Sequence, residues 1–184
     1  MVRPNRDRLV GSVQVDEIYI GGPKSGKRGR GAAGKTLVLV AVESKDGRPG
    51  RIRLHKIKDA SGASLIPAVK KSVQPKSGIL TDDWEGYNGL PSSDYTRTII
   101  RKTADVGKNL LPLANRVASL LKRWLVGTHQ GKPSPSHLAY YLDEFVFRFN
   151  RRTSRSRGKL FYRLIQQAVN IGPIKGEEIR GGGS

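Results

Sequence analysis

The chain contains no cysteine in its 184 residues, which excludes disulfides and any zinc site built on thiolates. No stretch approaches the roughly 20 consecutive apolar residues that a membrane-spanning helix needs. The N-terminus, Met1-Val-Arg-Pro-Asn-Arg-Asp-Arg8, lacks the apolar core of a secretory signal. These absences lead to the expectation of a soluble, cytoplasmic chain. Histidine is scarce too, and His55, His129 and His137 are too scattered to form a metal cluster. Acid is the most consequential deficit. The 15 Asp and Glu residues stand against 34 Lys and Arg, for a formal charge of +19. A field of that sign attracts polyanions, chiefly nucleic acid or an acidic membrane surface. Ribosomal proteins share this bias, so charge alone does not identify an enzyme.

The length fits one domain with a core of its own, and the hydrophobic content of 36% lies above the disordered range. Val13–Ile20 is rich in β-branched and aromatic residues and reads as a strand. Gly21–Gly34 is glycine-rich and basic, a flexible loop by composition. Thr36–Val42 is apolar throughout, as a strand buried on both faces would be. Asp46-Gly47 marks a hairpin turn into a half-exposed third strand, Arg51–Ile57. A helix over Ala60–Val73 follows, with Pro67 expected to kink it. Short strands are expected at Gly78–Thr81 and Tyr95–Arg101.

Two helices close the pattern. In the first, Val117, Leu120, Leu121 and Trp124 recur at helical spacing as the expected buried stripe. Asn115 and Lys122 superpose on the opposite side, with Ala118 and Ser119 between them, small enough to admit a ligand. The last helix is expected to begin at Ser134-Pro135, a good N-cap with Pro in the first turn. Its apolar stripe is Leu138, Tyr141, Leu142, Phe145 and Phe149. The tail from Gly172 to Ser184 reads as disordered.

Four polar residues stand out against this frame. Asp16 lies within the first strand, Asp82 ends the fourth, and Asn115 and Lys122 share a helix. Phosphodiester cleavage and transfer need one oxygen activated and another stabilised, which two divalent metals held by carboxylates can do. Mg²⁺ takes one or two carboxylates together with waters and phosphates, so two aspartates can suffice if their strands are neighbours. A lone Asp at a strand end is ordinarily a turn residue. Glu17 and Asp83 are adjacent carboxylates whose side chains should point elsewhere. Lys122 suits a phosphate contact, and Arg123 beside it a second one.

Gly21-Gly-Pro-Lys-Ser-Gly26-Lys27 has the spacing of a P-loop, but Arg28 follows where the Mg²⁺-binding hydroxyl belongs. A basic loop resting on DNA phosphates, through Lys24, Lys27, Arg28, Arg30 and Lys35, is the better reading. A second basic cluster runs from Arg148 through Arg151, Arg152, Arg155 and Arg157 to Arg163. Tyr19, Trp84, Tyr87 and Trp124 read as core aromatics rather than base-stacking platforms.

Several blocks resemble a known group. Val15-Asp-Glu-Ile-Tyr-Ile-Gly-Gly22 with Lys27-Arg-Gly-Arg-Gly31 resembles the opening of a bacterial insertion-sequence transposase core of the DDE type, the ISXO2-like group. Thr81-Asp-Asp-Trp-Glu-Gly-Tyr-Asn-Gly-Leu90 is similar to its second-aspartate block. Ser119–His129 and Tyr141–Arg152 are similar to its C-terminal signature. The resemblance implies an α/β, ribonuclease-H-like fold with a mixed five-stranded sheet flanked by helices. It implies an arm over 1–12, a catalytic core over 13–165 and a flexible tail over 166–184.

The same resemblance implies a DNA transposase that cuts and joins strands, using two Mg²⁺ or Mn²⁺ ions held by Asp16, Asp82 and Asn115, with Lys122 orienting a phosphate. Asn115 stands where many relatives carry Glu, and offers a metal only a neutral carbonyl. The partners implied are element ends and target DNA, a second copy of the chain, and no nucleotide cofactor; the place implied is the bacterial nucleoid. Lys24, Lys27, Arg28, Arg30, Lys35, Arg123, Arg151 and Arg152 are the expected DNA contacts. Full-length relatives carry an upstream zinc-binding and helix-turn-helix region, and the expectation here is a core without that end recognition. Two alternatives stand beside this reading. One is a non-catalytic DNA-binding relic or transposition inhibitor, and the other a structure-selective nuclease on the same fold.

Overall fold

Alternating apolar residues become strands wherever both sheet faces can be covered, and the computed structural model of the chain follows that rule. It describes residues 6–21, 35–101, 110–129, 136–170, 172–173 and 176. The order is β1 (Ser12–Ile20), β2 (Thr36–Lys45), β3 (Arg48–Ile57), α1 (Gly62–Ser72), β4 (Ser77–Thr81), a 3₁₀ turn (Glu85–Tyr87), β5 (Tyr95–Ile99), α2 (Pro112–His129), α3 (Leu138–Asn150) and α4 (Arg157–Val169). The chain forms two compact units, one of Arg8–Pro133 and one of Met1–Asp7 with Ser134–Ser184.

In the first unit the sheet order is β3-β2-β1-β4-β5. The β1–β2 and β2–β3 pairs are antiparallel, whereas β1–β4 and β4–β5 are parallel. An antiparallel meander extended by two parallel strands is a mixed five-stranded sheet, the ribonuclease-H-like arrangement that the family resemblance implies. The two-residue turn between β2 and β3 is Asp46-Gly47, with Lys45 paired to Arg48. Both turn residues take positive φ, 52° and 70°, the primed geometry that matches strand twist.

Side-chain alternation splits the core into two layers. Val13 and Val15 of β1, Leu37, Leu39 and Ala41 of β2, and Ile79 of β4 cluster with Leu65, Ala68 and Val69 of α1. On the other face α2 packs against β1, β2 and β3. That face carries Val38, Val40 and Val42, all fully buried. Each such side chain contributes roughly 1.5–3 kcal/mol when removed from water. Helix α1 is one or two residues shorter at each end than expected, and it runs through Pro67. Pro67 is exposed, so its ring is accommodated on the solvent side of the helix.

In the second unit, α3 buries Leu138, Leu142, Phe145, Val146 and Phe149, close to the expected stripe, although Tyr141 is only half-buried. Phe145 and Phe149 stack at 5.8 Å between ring centroids. His137 occupies the position before α3; the Ser134-Pro135 start expected from sequence lies outside the described residues. Helix α4 was not expected. Ser156 caps it, its hydroxyl oxygen accepting from the Lys159 amide at 3.4 Å. The glycine-rich loop after Gly21 lies outside the described residues, as does the tail apart from Gly172, Pro173 and Gly176. No described helix is long and apolar enough to cross a membrane.

Candidate functional site

The strand register decides whether the two aspartates can cooperate. In the parallel β1–β4 pair, Gln14 lies opposite Leu80. Continuing that register by two residues brings Asp16 of β1 beside Asp82, which directly follows β4. Neighbouring strands lie about 4.8 Å apart, and residues two apart share a face. The alternation thus assigns Asp16 and Asp82 to the sheet face that carries Gln14 and α2. Both are half-buried.

Local bonds hold each carboxylate. The Asp16 Oδ1 accepts the Glu17 amide N–H at 2.9 Å. The Asp82 Oδ1 accepts the Trp84 amide N–H at 3.2 Å, an Asx turn that reverses the chain after β4. The adjacent acids turn away, as expected from sequence. Glu17 points to the opposite face and accepts the Tyr87 hydroxyl at 2.8 Å, while Asp83 pairs with Arg101 at 2.8 Å on the surface. Burial pushes the Tyr87 phenol well above its ordinary value, Glu17 adds to this, and Asp16 and Asp82 act in the same direction. Both aspartates thus lie within electrostatic reach of one phenol, and Tyr87 keeps its proton.

Gln14 brings α2 to this face. Its side chain is buried, and its Oε1 accepts the amides of Leu113 at 2.9 Å and Ala114 at 3.2 Å. These are first-turn donors that no helical carbonyl can satisfy, so a strand side chain caps the helix. Asn115 follows immediately and is half-buried. The same strand face therefore supplies Asp16 and, two residues earlier, the anchor for Asn115.

The packing of α2 differs from the expected stripe. Leu113, Ala114, Val117, Ala118, Leu121 and Leu125 are buried, while Leu120 is 36% exposed. Trp124 is only half-buried. At about 100° per residue the buried face is turned by roughly 50° toward Asn115 and Lys122. The cause is the pair Ala114 and Ala118, whose small side chains let the helix backbone approach the sheet. Ala118 is thus packed into the core rather than lining an opening. Asn115 and Lys122 flank the buried face instead of opposing it.

Lys122 is exposed and lies about 10 Å along the helix axis from Asn115, at 1.5 Å per residue. Arg123 and Lys35 are also exposed. Arg151 and Arg152 fold back over the end of α3. Their guanidinium carbons lie 4.0 Å from the ring centroids of Phe147 and Phe149, and Arg152 donates to the Phe149 carbonyl at 2.9 Å. Both therefore satisfy a helix C-terminus. Lys24, Lys27, Arg28 and Arg30 lie outside the described residues. His55 is half-buried in β3, and the His129 side chain lies outside the described residues.

The donor set is hard. Two carboxylates and an amide carbonyl are oxygen ligands of the kind Mg²⁺ and Mn²⁺ take. Among the described residues no group of three or more His, Cys, Asp or Glu side chains is placed to hold a metal. Two further residues that sequence reasoning passed over belong to this region, Gln14 and Arg97. A glutamine in an apolar strand signals a specific polar partner, but only the fold shows which one.

Comparisons with known proteins follow from this geometry. Residues 8–150 match the family model of the ISXO2-like transposase domain. No curated protein matches significantly. Among solved structures, a chain in the cryo-EM structure of a simian T-cell lymphotropic virus intasome in complex with PP2A regulatory subunit B56 gamma aligns at 16% identity and a TM-score of 0.47. That alignment covers 85% of this chain and 55% of that one, so this chain spans about half of its length.

Proposed function

The chain belongs to the ISXO2-like transposase domain family, and from that premise we propose that it is the catalytic core of a DDE-type transposase that cleaves and joins DNA strands. The observation that supports the reading is the parallel β1–β4 register, which pairs Gln14 with Leu80, the residues two before Asp16 and two before Asp82. In this reading Asp16 and Asp82 hold divalent Mg²⁺ or Mn²⁺ through their carboxylates, and the Asn115 carbonyl supplements them. Bound there, such ions supply activation of an attacking oxygen and stabilisation of a leaving oxygen.

The chain's own groups do the positioning. Asx-type bonds to the Glu17 and Trp84 amides orient the two carboxylates. Tyr87 holds its proton on Oη toward Glu17, which keeps that acid out of the site. Lys122 and Arg123, exposed on α2, contact phosphates of the bound strand. Lys24, Lys27, Arg28, Arg30 and Lys35 extend that contact along the duplex. Arg151 and Arg152 serve DNA only by leaving the carbonyls they now cap. The net charge of +19 supplies long-range attraction to DNA. A neutral Asn115 lowers the affinity for metal relative to a third carboxylate, so Mn²⁺ should support turnover better than Mg²⁺. The acting form is an oligomer of this chain on DNA.

A duplex oligonucleotide ending in a free 3′-OH, incubated with supercoiled target and Mn²⁺, tests the joining step. Joined products from wild type, absent with Asp16→Asn, support the proposal. Cleaved but never joined target would instead favour a hydrolytic nuclease.

A further inference from the structure

We propose that Arg97 and Tyr87 form a positioning clamp that fixes the two candidate metal-holding aspartates relative to each other. The proposal rests on the reading of Asp16 and Asp82 given above. It starts from the guanidinium of Arg97, which reaches from β5 to four acceptors, one on the last residue of β4 and three on the segment that follows it. Its Nε donates to the Thr81 hydroxyl at 3.0 Å, and its Nη1 to the Asn88 side-chain carbonyl at 2.8 Å. Its Nη2 donates to the main-chain carbonyls of Asp82 and Trp84, both at 3.2 Å. One side chain thus grips the residue before Asp82, Asp82 itself, and the turn beyond it.

Every one of those acceptors is neutral, so this is not an ion pair whose value lies in charge neutralisation. The planar fork spans several acceptors at fixed angles, which sets the course of the main chain. The same guanidinium stands 5.7 Å from the ring centroid of Tyr87, a cation–π distance. Tyr87 is fully buried. Its hydroxyl donates to Glu17, and the Glu17 amide in turn donates to the Asp16 carboxylate. A continuous chain of contacts therefore joins the carboxylate of Asp16, through Glu17, Tyr87 and Arg97, to the main chain of Asp82.

The turn is shaped to hold this arrangement. The Trp84 indole N–H donates to the Ala60 carbonyl at 2.7 Å. A Cβ on Gly86 would stand 2.5 Å from that same carbonyl and 2.7 Å from Leu65 Cδ1. Only glycine lets the turn lie this close to α1, where Tyr87 reaches Glu17 of the central strand β1. Arg97 pairs with Ile79 on the α1 side of the sheet and Tyr87 is fully buried, so both are assigned as positioning residues.

Arg97→Lys removes the fork but keeps the charge, and Tyr87→Phe removes only the hydroxyl. Partners that orient metal ligands typically change metal affinity by about 10–100-fold when lost. Mn²⁺ binding is measured by calorimetry and by the paramagnetic spectrum of free Mn²⁺, at a temperature where every variant is folded. Amide hydrogen exchange over 82–88 is followed alongside. The expected result is roughly 10-fold or more weaker Mn²⁺ binding in Arg97→Lys, with faster exchange confined to 82–88. A smaller loss in the same direction is expected for Tyr87→Phe, which covers the case that Arg97→Lys does not fold. Unchanged Mn²⁺ affinity in folded variants, against a clear loss in Asp82→Asn, would overturn the clamp while sparing the metal site. Wild type and Asp82→Asn equally unable to bind Mn²⁺ would overturn the metal site and the clamp with it.

Discussion

Replacing Gln14 by Met keeps nearly the same shape and removes the acceptor through which Gln14 ties β1 to α2. In the parent, Gln14 Oε1 accepts two amides, from Leu113 and Ala114, at 2.9 and 3.2 Å. The site is buried, with Gln14 8% exposed and Ala114 1%, so water cannot replace the lost acceptor. A buried donor left unpaired costs about 1–3 kcal/mol, and an N-cap is worth roughly 0.5–2 kcal/mol. The Met side chain recovers part of this through apolar contact. The expected net loss is about 3 kcal/mol, a fall in melting temperature of roughly 6–12 °C for a chain of this size. Urea unfolding followed by far-UV circular dichroism measures the difference directly. The midpoint should drop at unchanged slope. Gln14→Glu keeps an accepting oxygen for both amides and places a negative charge at a helix N-terminus, which is favourable there, so it should lose much less. Gln14→Met within about 0.5 kcal/mol of the parent would refute the capping argument.

Gly86→Ala should cost about 2–3 kcal/mol by overpacking against the Ala60 carbonyl, read as a lower urea midpoint; a neutral effect would contradict the close approach of the turn. Glu43 accepts from the Val10 amide at 2.9 Å and from Arg51 Nη2 at 2.6 Å. Burial pulls the Glu43 carboxyl upward, but the Arg51 side-chain bond and the Val10 amide outweigh it and hold the carboxyl below its ordinary value. Its contribution is therefore complete above the unfolded value of about 4.3 and is lost as pH falls through the lower folded value. The stability gap between wild type and Glu43→Gln, about 1–2 kcal/mol at neutral pH, should shrink below that point in parallel urea titrations. A gap independent of pH would contradict it. DNA affinity should fall roughly 1,000-fold or more between 50 and 200 mM salt, and Arg123→Ala should lower the salt slope by about one. A flat fluorescence-anisotropy titration would remove the electrostatic basis of binding.

The strands were readable because their chemistry is local. Leu37–Val42 had no polar residue to expose, and Asp46-Gly47 could adopt positive φ at both positions. That Asp16 and Asp82 share a sheet face was not readable, because it depends on β4 joining the β1 edge in parallel. Only the family resemblance anticipated it. The rotation of α2 was missed because Ala114 and Ala118 score weakly as apolar, yet small residues decide how closely a helix backbone approaches a sheet. Helix α4 was hidden inside a basic cluster. Phe161, Tyr162, Ile165 and Val169 stay exposed on it, so its pattern does not mark a core face. Arg97 looked like one more cation in a basic chain, and only side-chain geometry distinguishes it from the solvated ones.

The central claim is that Asp16, Asp82 and Asn115 form one metal-dependent strand-cleaving centre. Nicking of supercoiled plasmid in Mn²⁺ and in Mg²⁺, wild type beside Asp82→Ala with DNA binding followed in parallel, tests it most directly. The account expects metal-dependent nicking by wild type, stronger in Mn²⁺, abolished in Asp82→Ala while DNA binding stays within a few-fold. Nicking that persists in Asp82→Ala, or tight salt-sensitive binding with no nicking by either protein in either metal, would contradict it.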